Sequence, residues 1–257
     1  MNKIQTVILC GGIGYRLKEE TEFKPKPMVE VGGRPILWHI MKIYAHWGFN
    51  NFIIALGYRG NQIIDYFVNK KFYDGNFTLN TSKGRVKHHK NNQNDHFKIT
   101  FVDTGQESLT GERVRRLKKH IKHDEFMVTY GDGLADIDLS ALVKFHKKKK
   151  TIATLTGVYP TLKYGGVTID KSGFATNFEK KAKMKHLLNG GFMVFNKKIF
   201  SYIKPNSMIE DTFESLISKK QLKVYEHQGV FHAMDTYQDM EDLNRMWEDN
   251  PFWKIWK

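Results

Sequence analysis

Apolar and polar positions along the chain follow two rhythms in alternation. Val7-Ile8-Leu9 is an unbroken apolar run, the pattern of a strand buried on both faces. Over 35–47 the apolar residues Ile36, Ile40, Ile43 and Trp47 recur at helical spacing, and Gly48 follows as a C-terminal stop. A second buried strand is predicted over 51–56, then a glycine-bounded turn (Gly57 to Gly60) and a helix over about 62–68. Further strands are expected over 98–103 and 125–130, with a helix over 113–120 between them. Asp138 reads as the N-cap of a helix over 139–147. Strand, helix, strand in this order predicts an α/β fold with a mostly parallel, doubly wound central sheet and ligands at its carboxyl edge.

Two regions depart from that rhythm. Over about 72–96 the apolar residues are isolated among Asn, Lys and His, so a long, polar, basic insertion is expected there. After residue 151 the strands shorten (152–158, 166–169, 174–180, 190–195) and are joined by turns. A terminal helix over 236–247 carries Tyr237, Met240, Leu243, Met246 and Trp247. Behind it, Phe252, Trp253 and Trp256 form an aromatic tail suited to docking on the core or on another subunit. The whole of 1–257 reads as a single domain, long enough to bury a sizeable core.

Chemistry concentrates where the first strand ends. Leu9-Cys10 opens into Gly11-Gly12-Ile13-Gly14-Tyr15-Arg16-Leu17, and Lys24-Pro25-Lys26-Pro27 follows closely. Glycines let backbone N–H groups approach a bulky anion, and Arg16, Lys24 and Lys26 bring cations to the same place. That combination is a phosphate cradle, although an ordinary strand-to-helix turn also uses glycines. A dinucleotide-binding fingerprint needs a third glycine where Leu17 stands, and no Gly-Lys-Ser/Thr follows Gly14, so two common phosphate loops are excluded. Asp132, between Gly131 and Gly133 at a strand's carboxyl end, is placed to hold a metal in the same cleft. Asp235 lies ahead of the last helix and has two readings, metal ligand or N-cap. Thr110 likewise reads as a ligand hydroxyl or a plain N-cap.

Composition changes the picture in two respects. A net charge of +14 suits a polyanionic ligand. Part of it lies in solvated runs such as Lys147 to Lys150 at a helix end, where cations are favourable without a partner. No nucleic-acid-binding motif accompanies the charge, so nucleic acid is not expected as a partner. No apolar stretch approaches a membrane span and no signal pattern opens the chain, so neither a membrane nor export is expected. Cys10 is the one cysteine, read as a small packed side chain, and a cytoplasmic address fits it.

The loop Leu-x-Gly-Gly-x-Gly-x-Arg-Leu with Lys-Pro-Lys-Pro-Met-Val-Glu resembles the signature of the sugar-1-phosphate nucleotidyltransferases. Stretches at Gly33 to Met41, Val102 to Gly105, Thr129 to Gly133, Asn189 to Phe192 and Met234 to Thr236 extend the resemblance in order over nearly the whole chain. It implies a Rossmann-like three-layer fold with a small antiparallel sugar-binding portion. It is strongest to the branch that joins CTP and glucose 1-phosphate into CDP-glucose with Mg²⁺, a product that would feed deoxysugar and surface-polysaccharide (O-antigen) synthesis. Users of UTP or dTTP would share the phosphate-handling residues, and a non-catalytic nucleotide binder is a further alternative. By resemblance, Leu9, Cys10, Gly11, Gly12, Ile13, Gly14, Tyr15, Arg16, Lys26, Ser108, Thr110, Gly111, Arg113 and Gly131 bind the nucleotide. Arg16, Lys26 and Asp132 are implied to be catalytic, and Asp132 and Asp235 to be metal ligands. Glu179, Lys180, Asn189 and Gly190 are implied to receive the sugar phosphate, Lys180 having the alternative of a solvated lysine in a basic segment. Tyr15 stands where the family usually has Thr, and Lys181 where it has Pro. The resemblance also implies a homo-oligomer, a hexamer, with subunit contacts in the 72–96 insertion.

Overall fold

The computed structural model describes residues 4–73, 75–89, 95–161, 164–180, 182, 184 and 186–256. Residues 74 and 90–94 of the basic insertion, and Lys181, lie outside the described residues. In chain order the elements are β1 (Gln5–Cys10), α1 (Lys18–Thr21), β2 (Glu30–Val31), β3 (Arg34–Pro35), α2 (Ile36–His46), β4 (Asn51–Leu56), α3 (Gly60–Tyr73), β5 (Phe77–Asn80) and β6 (Arg85–His88). They continue with β7 (Lys98–Asp103), α4 (Thr110–Arg116), β8 (Glu125–Tyr130), β9 (Gly133–Ala135), α5 (Leu139–Lys149), β10 (Ala153–Val158), β11 (Gly166–Ile169) and β12 (Ala175–Glu179). The last are β13 (Leu188–Asn196), α6 (Asp211–Ser218), β14 (Leu222–His227), β15 (Phe231–Ala233) and α7 (Tyr237–Asp249).

The predicted sheet is present, seven strands in the order β14-β10-β13-β8-β1-β4-β7. β1, β4, β7 and β8 pair in parallel, as do β10 and β14, while β13 runs antiparallel between β8 and β10. Alternation along β1 divides the core. Ile8 and Cys10 join a cluster with α2, α3, α5 and the C-terminal tail, and Val7 and Leu9 join one with α4 and α6 on the other face. The result is three layers around one sheet, as the α/β pattern requires. At the carboxyl edge β1, β4 and β8 lie side by side, Cys10 opposite Leu56 and Leu9 opposite Tyr130. Their following loops therefore emerge together.

Three expectations need correction. The region expected to lack periodicity contains a hairpin, β5 with β6, turned by the Asn80 carboxamide, which accepts from Ser82 Oγ and Lys83 N. Its strands are exposed on both faces, so no apolar alternation marked them. α4 begins at Thr110, three residues before the expected start, and α3 begins at Gly60 and runs on to Tyr73. The alternative that Thr110 is a plain N-cap fails, because Leu109 holds the cap position and the Thr110 hydroxyl turns to Glu210.

The aromatic tail docks on its own chain. Trp253 is fully buried, stacked on Trp247 and edge-on to His39, and its indole N–H donates to His39 Nδ1 at 3.2 Å. His39 Nε2 lies 2.8 Å from the Val31 carbonyl, so the ring is neutral with its proton on Nε2. Burial holds its pKa down at about 4. Burying one such indole removes some 150–250 Å² from water, roughly 4–6 kcal/mol before entropy is counted. Among the described residues no helix is long and apolar enough to cross a membrane.

Candidate active site

The glycine loop leaves β1 over the carboxyl edge and passes through a short 3₁₀ turn (Tyr15–Leu17) into α1. The turn closes on the Gly14 carbonyl, which accepts from Leu17 N at 3.0 Å and from Thr21 Oγ1 at 3.0 Å. Beneath the loop lies Arg113, a buried arginine from α4. Its guanidinium donates to the carbonyls of Gly11 (2.9 Å), Leu56 (3.1 Å), Gly105 (2.7 Å) and Gln106 (3.0 Å) and to Thr104 Oγ1 (2.9 Å). A Cβ at Gly11 would lie 2.1 Å from that guanidinium, so any side chain there would push the arginine out of these bonds. One cation thus ties the loop after β1 to the loops after β4 and β7. Arg113 was expected to meet the nucleotide. It lines the cavity, and through these bonds it also holds the loop from beneath.

A cavity of about 320 Å³ opens between this loop and the start of α4. Of the residues expected to hold nucleotide, Leu9, Cys10, Gly11, Gly12, Gly14, Arg16, Lys26, Ser108, Thr110, Arg113 and Gly131 line it, and Ile13, Tyr15 and Gly111 do not. The Tyr15 side chain is exposed, and Gly111 is packed against the Ser207–Met208 backbone. Cys10 is buried, and burial followed by the nearby Asp132 pushes its thiol pKa well up, which makes it a packed, unreactive side chain as expected. A larger hollow of about 650 Å³ lies around Glu125, at the opposite end of β8, bordered by Lys147, Lys150, Lys198 and Lys219. Neither the glycine loop nor the acidic pair described next lines it.

At the mouth of the smaller cavity the charged residues converge. Lys26, held between Pro25 and Pro27 in a 3₁₀ turn, places Nζ 2.6 Å from Asp132 Oδ2 and 2.7 Å from Asp235 Oδ1. Burial alone would lower its pKa, but Asp132 and then Asp235 outweigh it and hold the ammonium above its usual value. Arg16 reaches Asp235 with two nitrogens, each at 3.2 Å. Lys24, grouped with these cations in the sequence, instead pairs with Glu20 at 2.9 Å.

The two aspartates are far apart in sequence, and β9 and β15 bring them together. Gly133 pairs with Ala233, and Met234 N donates to the Asp132 carbonyl at 2.9 Å. Asp235 does not cap α7. Thr236 does, in a capping box with Asp239, which leaves the Asp235 carboxylate turned to Lys26 and Arg16. The same ammonium touches one oxygen of each carboxylate, so both aim at one point. Two hard oxygen donors beside a phosphate cradle fit Mg²⁺, which commonly takes one or two carboxylates and completes its shell with water and phosphate oxygens. No cluster of three or more acidic, His or Cys ligands occurs among the described residues, so an all-protein cage is not formed there.

The sugar-side residues are split. Asn189 and Gly190 lie on β13 beside β10, and the Asn189 carboxamide accepts from Gly191 N at 3.0 Å. Glu179 ends β12 and Lys180 follows it, both exposed and neither lining the cavity. Tyr130, Met208 and Glu210 are additions that the sequence did not mark. Tyr130 and Met208 line the cavity, and Glu210 bonds to Tyr130 and Thr110.

Comparison with known proteins gives the family. The nucleotidyl transferase family model matches residues 5–253. The chain is 40% identical to a probable glucose-1-phosphate cytidylyltransferase of Bacillus subtilis, over 98% of this chain and all of that one. It is also 40% identical to the glucose-1-phosphate cytidylyltransferase of Salmonella typhimurium, over 99% of this chain and all of the relative. Among solved structures, a putative glucose-1-phosphate thymidylyltransferase from Bacillus anthracis superposes with a TM-score of 0.70 at 17% identity, covering 96% of each chain. From the glycine loop to the acidic pair, the chain belongs to the nucleotidyl transferase family.

Proposed function

We propose that this chain transfers the cytidylyl group of CTP to α-D-glucose 1-phosphate, giving CDP-glucose and pyrophosphate. The observation that carries the reading is the meeting of Lys26, Asp132 and Asp235 at the mouth of a glycine-lined cavity. Identity of 40% across whole chains with glucose-1-phosphate cytidylyltransferases supplies the choice of substrates. A phosphate oxygen of the sugar attacks the α-phosphorus of CTP, a new P–O bond forms, and the bond to the β-phosphate oxygen breaks as pyrophosphate leaves. Two polyanions must meet in line, so charge neutralisation and positioning are the enzyme's main tasks.

The backbone N–H groups of Gly11 to Gly14 hold the triphosphate, with Arg113 fixing the loop from below. Arg16, largely exposed and able to swing, takes the β- and γ-phosphates and the leaving pyrophosphate. Lys26 serves the α-phosphate, where charge grows during attack. Asp132 and Asp235 are the residues that would hold Mg²⁺, which when bound neutralises phosphate charge as a Lewis acid. Asn189 and Gly190, with Glu179 and Lys180 on the β11–β12 hairpin, receive the sugar phosphate.

The 257 residues are read as one domain built on one sheet. Val167, Ile169, Phe174 and Phe178 leave the β11–β12 hairpin with an exposed apolar surface, which supports a homo-oligomer. Sedimentation giving only monomer at micromolar concentration would remove that part of the reading. A cytoplasmic location and a role in supplying sugar nucleotides for surface polysaccharide go with the same reading. Competition between CTP, UTP and dTTP for the free enzyme tests the base. CTP is expected to bind at least tenfold tighter, and preference for UTP or dTTP would replace the cytidylyl assignment while leaving the transfer chemistry.

A further inference from the structure

Tyr130 is the last residue of β8 and stands between the two halves of the cleft. Its hydroxyl donates to one oxygen of Glu210, whose other oxygen accepts from Thr110 Oγ1 at 3.3 Å. Thr110 Oγ1 in turn accepts from Ile209 N at 2.9 Å, which closes a ring of bonds between α4 and the segment ahead of α6. On its other side Gly191 N donates to the Asn189 carboxamide oxygen at 3.0 Å, and Tyr130 covers that segment. Its ring lies on Gly191, where φ is +79° and a Cβ would come 2.7 Å from the ring. Thr110 lines the nucleotide cavity, and Asn189 lies at the start of β13, on the side read as receiving the sugar phosphate. One tyrosine and one carboxylate therefore connect them.

We propose that Tyr130 and Glu210 are positioning residues that couple the nucleotide wall at Thr110 to the sugar-phosphate side at Asn189–Gly191 of β13, so that binding of either substrate tightens binding of the other. The inference rests on the functional reading above and adds residues that reading does not use. It follows from how the bonds are shared. Tyr130 gives its one hydroxyl proton to Glu210, while its ring packs on Gly191, whose N–H the Asn189 carboxamide holds. A nucleotide that settles Thr110 then settles Glu210 and Tyr130, and with them the start of β13 that the sugar phosphate meets. Coupling of this kind is reciprocal.

The test uses α,β-methylene CTP, whose bridge cannot be cleaved, with Mg²⁺ and with or without saturating glucose 1-phosphate. Its dissociation constant is read by calorimetry for the wild type, Tyr130→Phe and Glu210→Gln. The wild type should bind the analogue about 5–10-fold tighter when the sugar phosphate is present, a typical coupling factor. Tyr130→Phe keeps the ring on Gly191 and should reduce that factor below about two, whatever it does to affinity for the analogue alone. Glu210→Gln should behave alike. Tyr130→Phe decides the matter if Glu210→Gln does not fold. An unchanged coupling factor in Tyr130→Phe, or none in the wild type, overturns the proposal alone. A wild type that binds neither the analogue nor glucose 1-phosphate overturns the functional reading along with it.

Discussion

Replacing Lys26 with methionine removes one charge and keeps nearly the same shape, and the consequences can be worked from the contacts. The ammonium sits 2.6 Å from one carboxylate and 2.7 Å from the other, with about a tenth of its side chain exposed. At an effective dielectric constant of about 20, each contact is worth roughly 6 kcal/mol in Coulomb terms. Desolvation offsets most of that, and the aspartates are each nearly a third exposed, so solvent screens the rest. A residue of about 1.5–3 kcal/mol is reasonable, which corresponds to roughly 10–100-fold in a binding constant. In the Lys26→Met enzyme the two carboxylates lose their internal cation. Mn²⁺ should then bind the nucleotide-free variant at least about tenfold tighter than the wild type, read by electron paramagnetic resonance of the free ion. Turnover should fall by about 10²–10³, the cost of losing one preorganised charge, while KM for CTP moves less because the glycine loop still holds the triphosphate. Lys26→Arg should rescue only in part, since a planar guanidinium places its charge elsewhere. Equal or weaker Mn²⁺ binding by a folded Lys26→Met enzyme would refute the reasoning.

Two further outcomes are expected. Asp235→Asn and Asp132→Asn should each lose most activity and unfold within about 1 kcal/mol of the wild type, whereas Thr236→Ala should cost about 1 kcal/mol through its lost cap and retain most turnover. Urea unfolding beside steady-state rates separates the two, and an active Asp235→Asn enzyme would remove that residue from the metal site. His39 gives a pH signature. Its imidazole titrates near 4 when folded and near 6.5 when free, so the unfolded chain binds the extra proton and stability falls as pH drops from 6.5 to 4. The loss reaches as much as ~3 kcal/mol, and His39→Asn should flatten that part of the stability curve while lowering it overall.

The sequence announced what is local. The run from Val7 to Leu9 ending in glycines located the phosphate loop, and the proline-flanked Lys26 located its cation, because strand, turn and charge follow each other within twenty residues. The aromatic tail was visible too, though only the packing of Trp253 on His39 and Trp247 decided that it covers its own core. What joins distant segments was not legible. β9 and β15 are three residues each, too short for any period, yet their pairing sets Asp132 beside Asp235. Whether Asp235 capped the last helix or was free to hold a metal was open until Thr236, in reciprocal bonds with Asp239, took the cap. Arg113 was assigned to the nucleotide by resemblance alone, and its four carbonyl partners come from segments that only the fold assembles. Glu210 carried no signal at all, since its value lies in two hydroxyls some 80 and 100 positions earlier.

Pyrophosphate release is the most direct test of the central assignment. The purified protein with Mg²⁺ is crossed against CTP, UTP, dTTP and GTP and a panel of sugar 1-phosphates, with the sugar nucleotide identified by mass. CTP with glucose 1-phosphate should give the highest kcat/KM, with CDP-glucose and pyrophosphate formed in equal amounts and Asp132→Asn nearly silent. Faster turnover with another nucleotide or another sugar 1-phosphate, or no pyrophosphate from any pair, would contradict it.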